Sequence, residues 1–256
     1  MNKKYIFFDI DETLTNDNPG GIVTESTKRA LRKLKENGHF VAIATGRANH
    51  FAIDFAKENE IENMVCDGGN GLTINYKLIS LEPLDFDISN QIIDECREKG
   101  IPYCVAIDNT PLLYTNSPVK YANDEMKFQV IEDMNLDFHK VDQILKIFIS
   151  CTPEEENNIV SMHQLGYMRY FQTGCIVEPL DKYKGIIKMV EYLNGSKDDI
   201  VVFGDGKNDL SMMQQAPISI AMGNAIDELK DIATFITHRN DEDGIEYACQ
   251  HFGWID

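Results

Sequence analysis

At 256 residues the chain is long enough for one large α/β domain or for a core domain carrying an inserted one, and 43% hydrophobic residues supply a real core. With 24 basic and 42 acidic residues the formal charge is −18, spread along the chain without a long acidic tail. That balance argues against nucleic acid as a partner, since phosphate-backbone binding needs a lysine and arginine surface. It also obliges any phosphate site to recruit a metal ion and a locally placed lysine.

The N-terminus imitates the start of a signal peptide, but Asp9 cuts the apolar run Tyr5-Ile6-Phe7-Phe8 below the length of such a segment. No later stretch is long and apolar enough to span a membrane, so no membrane association is expected. Tyr5 to Phe8 reads as a strand buried on both faces, whose carboxyl end delivers Asp9 and Asp11 to one spot. Carboxylates at the rim of a sheet are desolvated and repel each other, so they persist only where a cation, a proton or hydrogen-bond donors compensate them.

A polar segment from Asn16 to Gly21 leads to a helix carrying Ala30, Leu31 and Leu34 on one face and ending near Asn37-Gly38. A second buried strand, His39 to Ala44, stops at Thr45-Gly46-Arg47. A helix over Asn49 to Glu58 and a short strand around Asn63 to Cys66 follow. Strand, helix, strand, helix, strand predicts a parallel sheet with right-handed crossovers. Leu72 to Ser80 reads as a hairpin turning near Asn75-Tyr76-Lys77.

From Pro83 to Pro179 the pattern changes to short strands in neighbouring pairs with helices between them. Helices are predicted over Ser89 to Lys99, Asp124 to Asp133 and Glu154 to Leu165. Strands are predicted over Pro102 to Ile107, Leu112 to Thr115, Lys146 to Cys151, Tyr167 to Gln172 and Cys175 to Glu178. Such a pattern implies an α+β unit inserted into the sheet domain, with the core in residues 1–81 and 181–256 and the insert in 82–180. The parallel pattern then resumes with a helix over Lys184 to Leu193 and a strand over Ile200 to Phe203. Beyond Gly204-Asp205-Gly206-Lys207-Asn208-Asp209 come a helix over Leu210 to Gln215, a strand over Ile218 to Ala221, and helices near Ala225 and over Gly244 to Phe252. Six cysteines, Cys66, Cys96, Cys104, Cys151, Cys175 and Cys249, lie far apart with no Cys-x-x-Cys pair and no histidine at zinc spacing. Buried reduced thiols are therefore expected, and with them a cytoplasmic location.

Strands beginning at Tyr5, His39 and Ile200 each end in a cluster of polar residues, and a parallel sheet gathers such ends on one edge, where ligands of open α/β sheets bind. Asp9, Asp11, Thr45, Asp205 and Asp209 then converge and offer oxygen-only ligation to a hard cation, with Mg²⁺ the best match. Gly46 at a helix entrance, the Thr45 hydroxyl and Lys184 make an anion site suited to a phosphoryl group. Met212 and Met213 read as core packing.

Four ordered segments carry a family resemblance: Asp9-x-Asp11-x-Thr13-Leu14, Thr45-Gly46-Arg47, Lys184-Gly185 and Gly204-Asp205-Gly206-Lys207-Asn208-Asp209. They resemble the motifs of the haloacid dehalogenase superfamily, phosphatase branch, and the insert between the second and third resembles the cap of its Cof-type subfamily, subclass IIB. The resemblance implies a Rossmann-like core with an inserted α+β cap, and hydrolysis of a small phosphomonoester through an aspartyl-phosphate. It implies Asp9 as nucleophile and Asp11 as general acid and base. Asp9, Asp205 and the Asp11 backbone carbonyl would ligate Mg²⁺, with Asp209 joining them or orienting Lys184 or a water. Thr45, Gly46, Lys184 and Asn208 would hold phosphate. Thr13 would support the loop, and Arg47 would reach the substrate or cap or simply cover the site. Asn109, Lys127 and His139 are weaker candidates for contacts to a leaving group. A phosphosugar mutase or phosphotransferase would use the same motifs. A phospho-accepting signalling domain is a more distant alternative, as is a non-catalytic binding protein, against which the intact Asp9 and Asp11 argue.

Overall fold

The computed structural model describes residues 2–16, 21–120 and 128–256, and divides into two compact units, Met1–Leu81 with Asp181–Asp256, and Glu82–Leu180. In the first unit the strands are β1 (Tyr5–Phe8), β2 (Phe40–Ala44), β3 (Met64–Cys66), β4 (Gly71–Ile74) and β5 (Lys77–Leu81). To these the second unit adds β6 (Tyr103–Ala106), β7 (Leu112–Thr115), β8 (Gln129–Glu132), β9 (Lys146–Ile149), β10 (Tyr167–Phe171) and β11 (Gly174–Val177). The chain then returns to the first unit with β12 (Ile200–Gly204), β13 (Ile218–Ala221) and β14 (Phe235–Ile236).

The first unit's eight-stranded sheet has the order β14-β13-β12-β1-β2-β3-β4-β5, parallel from β14 to β3, with β4 and β5 added antiparallel as a hairpin. β1 is central because its four residues are apolar on both faces and all are buried, which only a strand covered on both sides tolerates. Its alternate residues feed two cores. Ile6 and Phe8 pack with Leu31 and Leu34 of α1 (Glu25–Glu36) and with Ala248 and Cys249 near the chain's end. Tyr5 and Phe7 face the opposite layer, with Ile186, Met189 and Val190 and with Met212 and Met213, which are core residues as expected. α2 (Asn49–Glu58) crosses from β2 to β3.

In the second unit, α3 (Phe86–Lys99) and shorter helical pieces cover a six-stranded sheet of order β10-β11-β9-β6-β7-β8. Two expectations for this unit are corrected. Gln129–Glu132 is a strand, β8, paired parallel to β7, where a helix to Asp133 was predicted; pairing supplies the backbone partners that a short amphipathic run cannot supply itself. The rest of that predicted helix, Asp124 to Lys127, lies outside the described residues, as does the candidate contact Lys127. Glu154 to Leu165 is also not one helix. It is α4 (Pro153–Glu156), closed by a capping box on Thr152, followed by a 3-10 turn at Val160–Gln164. His139 pairs at the surface with Asp94 at 3.0 Å.

After the second unit the chain forms α5 (Lys182–Tyr192), α6 (Leu210–Gln215), α7 (Asp227–Ile232) and α8 (Gly244–His251). The edge strand β14 was not predicted. Two residues between polar turns carry too little periodicity to announce themselves. Among the described residues no helix is long and apolar enough to cross a membrane.

Candidate active site

Adjacent parallel strands in register bring their carboxyl ends to one edge. Phe8 lies beside Phe203 on one side and Ile43 on the other, so Asp9, Thr45 and Asp205 follow neighbouring strands. The Asp9 N–H donates to Phe203 O at 3.1 Å, carrying the pairing one residue past β1. The chain then turns tightly: Leu14 and Thr15 N–H donate back to Asp9 and Ile10 carbonyls, and Glu12 sits at φ 60°. From this turn Thr13, fully buried, donates its hydroxyl to Asp205 Oδ1 at 2.6 Å. Thr13 thus ties the turn after β1 to the carboxylate that follows β12.

Asp205 and Asp209 bracket a turn whose backbone wraps one carboxylate. Asp209 Oδ2 accepts the N–H of Asp205 at 3.0 Å and of Gly206 at 3.1 Å. A Cβ on Gly204 would fall 2.7 Å from that same oxygen, so a glycine is needed there for close approach.

The lysine of the site is Lys182, and this corrects the placement of Lys184. Asp181 is the N-cap of α5, its carboxylate accepting the Lys184 N–H at 3.1 Å, so the helix begins two residues earlier than predicted. Lys182 is its first residue and points its fully buried ammonium at Asp9 Oδ1, 2.5 Å away, and Asp209 Oδ1, 2.6 Å away. Lys184, roughly 200° further round the helix, is exposed. Within Asp181-Lys182-Tyr183-Lys184, aspartate as an N-cap was the signal that could have chosen between the lysines.

Helix α5 holds Lys182 in place by packing closely on β3 and the Asp67–Gly69 turn. A Cβ on Gly185 would meet Val65 Cγ1 at 2.5 Å and Gly69 O at 2.6 Å. Gly185→Ala is expected to cost about 1–3 kcal/mol through overpacking. Urea unfolding tests this, and an unchanged midpoint would show the contact to be slack.

Thr45, also buried, accepts the Arg47 N–H on its hydroxyl at 3.1 Å, and its carbonyl accepts the Gly68 N–H at 3.1 Å. Asn49 N–H donates to Asp67 Oδ2 at 3.0 Å, so the loop carrying Gly46 is tied to the end of β3. Arg47 forks the Asp11 carboxylate, Nε to Oδ2 at 3.0 Å and Nη2 to Oδ1 at 2.5 Å. Asn208 is half-buried on the turn before Asp209.

Carboxylates of Asp9, Asp205 and Asp209 present oxygens within 4.8 Å of one another, all buried. The Asp11 carboxylate is not among these three. Burial is the main force on Asp9, pushing its carboxyl up to about 7; Lys182 opposes this, and Asp209 and Asp11 add to it. Burial, then the charges of Asp9 and Asp209, push Asp205 up to about 8. Burial disfavours the Lys182 ammonium, yet Asp209 and Asp9 outweigh it and raise its pKa. Three acids against one lysine leave negative charge that only a proton or a further cation can balance. Oxygen-only donors of this kind fit a hard divalent ion.

A family model described as haloacid dehalogenase-like hydrolase matches residues 6–248. The chain is 31% identical over 259 residues to YkrA of Bacillus subtilis (strain 168), a provisionally named phosphatase, with 100% of each chain covered. It is 26% identical over 258 residues to YcsE of the same organism, a 5-amino-6-(5-phospho-D-ribitylamino)uracil phosphatase, covering 98% of this chain and 96% of that one. Among solved structures, the subclass IIB sugar phosphatase BT4131 superposes with a TM-score of 0.80 at 24% identity, covering 99% of this chain and 100% of that one, which shows a shared fold.

Proposed function

The chain belongs to the haloacid dehalogenase-like hydrolases and is a phosphatase, and on that footing we propose that it hydrolyses small phosphomonoesters in two steps, through an aspartyl-phosphate on Asp9, with Mg²⁺ as cofactor. The observation that carries this reading is the buried ammonium of Lys182 held between Asp9 and Asp209, with Asp205 in the same cluster. A nucleophilic carboxylate needs its approach to an anionic phosphoryl group neutralised, and this arrangement supplies one fixed positive charge at the attacking oxygen.

Asp9 attacks phosphorus while Asp11 gives a proton to the leaving oxygen; Asp11 then takes a proton from the water that attacks the acyl phosphate. Because Arg47 forks the Asp11 carboxylate, that pair has to open or shift for the proton to move. Thr45 and Lys182 hold the phosphoryl oxygens, with Gly46 and Asn208 beside them. Asp9, Asp205 and the Asp11 carbonyl would hold Mg²⁺, which when bound would balance the clustered carboxylates and the phosphoryl charge. Asp209, both of whose oxygens already accept hydrogen bonds, positions Lys182.

We assign the chemistry to residues 1–81 and 181–256, which contain every residue of this set, and substrate selection to residues 82–180. Relatives named for a phosphorylated ribityl compound and for sugar phosphates favour substrates of that size. Turnover of a panel of phosphomonoesters with Mg²⁺ tests the class; no turnover of any member would end this reading.

Two further outcomes follow for the metal. Excess chelator abolishes turnover and Mg²⁺ restores it, whereas Ca²⁺, with its larger and more flexible shell, inhibits; full activity in chelator would contradict the reading. Asp9 and Asp205 have folded pKa values, about 7 and about 8, above the ordinary 3.8. The metal-free folded state therefore binds more protons than the unfolded chain across that interval, and these groups' stability contribution falls as pH rises through it. A divalent ion held by these carboxylates would take the place of those protons. Its stabilisation should be about 5 °C or more in Tm at pH 8 and less than half of that at pH 5.5. A Tm shift independent of pH would place the ion elsewhere.

A further inference from the structure

In the second unit, Cys151 just beyond β9 and Cys175 on β11 lie with their sulfurs 3.5 Å apart, both buried, despite the 23 residues between them in sequence. Their strands pair antiparallel with Cys175 opposite Ile149, which brings the chain beyond β9 past the start of β11. Arg169 on β10 donates to Cys151 Sγ at 3.5 Å and to the Cys151 carbonyl at 3.0 Å, while Glu156 accepts its Nε–H at 2.7 Å. Cys175 Sγ lies 3.8 Å from the Met162 sulfur. The two thiols are therefore unlike each other, one against a guanidinium and one against a thioether.

We propose that Cys151 and Cys175 form a reversible disulfide, with Cys151 as attacking thiolate, Cys175 as resolving thiol and a small hydroperoxide as oxidant. The hydrogen bond shared with Cys175, aided by Arg169 against burial, brings the Cys151 thiol down to about 7, and the same hydrogen bond with burial pushes Cys175 up. Burial pushes Cys96 and Cys104 up to about 12 and Cys249 higher still, so these compete poorly.

In the first step the Cys151 sulfur attacks a peroxide oxygen and the O–O bond breaks. The departing hydroxide takes a proton to become water, and Cys151 is left as a sulfenic acid. Cys175 then loses its proton and attacks the Cys151 sulfur; the S–O bond breaks, water leaves, and the S–S bond forms. Two thiols are oxidised and one hydrogen peroxide is reduced to two waters. Access would come from the stretch after Cys151, which holds only a four-residue helix and a 3-10 turn, short elements of the kind that open locally before sheets do.

The test uses the full chain treated with hydrogen peroxide at pH 7.5, alkylated, and digested without reductant for mass spectrometry. The expected result is loss of two of the six thiols, one cross-linked peptide joining Cys151 to Cys175, and recovery of all six with dithiothreitol. Arg169→Gln should slow the reaction about tenfold by lowering the thiolate fraction. Cys175→Ser should stop it at a Cys151 sulfenic acid that dimedone traps. Six intact thiols after treatment, a cross-link through Cys96, or an Arg169→Gln rate equal to the native one would overturn the proposal.

Discussion

Lys182→Met is expected to lower kcat by about a thousandfold, while Lys184→Met leaves it within about twofold. Methionine keeps the length and apolar body of the lysine stem but removes the positive charge that Asp9 and Asp209 share. Two consequences separate this from simple unfolding. Without Lys182 the force that lowers the Asp9 pKa is gone, so the acid limb of the residual kcat/KM profile should move to higher pH. Mg²⁺ should still bind, since Asp205 and the Asp11 carbonyl are untouched, and the Mg²⁺-induced rise in Tm should persist. A Lys184→Met protein as impaired as Lys182→Met would show that the first turn of α5 rearranges during turnover.

Asp9→Asn and Asp11→Asn should both be severe but should fail differently. Asparagine at Asp9 is a poor nucleophile and offers the Lys182 ammonium a weaker acceptor, so turnover should fall to background, by about ten-thousandfold or more. Asp11→Asn keeps the nucleophile and the main-chain carbonyl and removes only the proton-transfer group, a loss of about a hundredfold to ten-thousandfold. The second loss should depend on the leaving group. An aryl phosphate, whose alcohol is already acidic, needs little protonation, so formation of the acyl phosphate should be spared and its hydrolysis should lag. Equal losses for alkyl and aryl substrates would remove Asp11 from leaving-group protonation.

The sheet was legible in the sequence because its strands are continuous apolar runs that stop at polar clusters. Tyr5 to Phe8 and Ile200 to Phe203 are covered on both faces, and a short continuous apolar run bounded by polar residues fits a central parallel strand. The positions of Asp9 and Asp205 at the sheet edge were legible for the same reason, since Asp9 directly follows one such run and Asp205 stands one glycine beyond another. Lys182 was not, because its role depends on which residue caps α5, and two lysines two apart look equally good until Asp181 is seen accepting the Lys184 N–H. The Arg47 fork on Asp11 and the meeting of Cys151 with Cys175 are contacts between distant segments that no local pattern records. In the inserted unit five strands and the first helix were legible, and the remaining pieces were harder. Of its helical pieces between Thr152 and Leu165 only the first is closed by a capping box, and neither carries a long apolar stripe, while β8 is held by its pairing to β7.

The covalent step on Asp9 is tested most directly by rapid acid quench of Asp11→Asn protein mixed with a ³²P-labelled aryl phosphate and Mg²⁺, followed by mapping of the label. Acyl phosphates survive acid and are cleaved by hydroxylamine, so an aspartyl-phosphate is distinguished from phosphoserine and phosphohistidine. The expected result is close to one label per chain, released by hydroxylamine and located on the peptide containing Asp9. A label on a different aspartate would move the phospho-acceptor elsewhere. An unlabelled Asp11→Asn protein that still turns over at the wild-type rate would contradict the two-step route and leave direct attack by water.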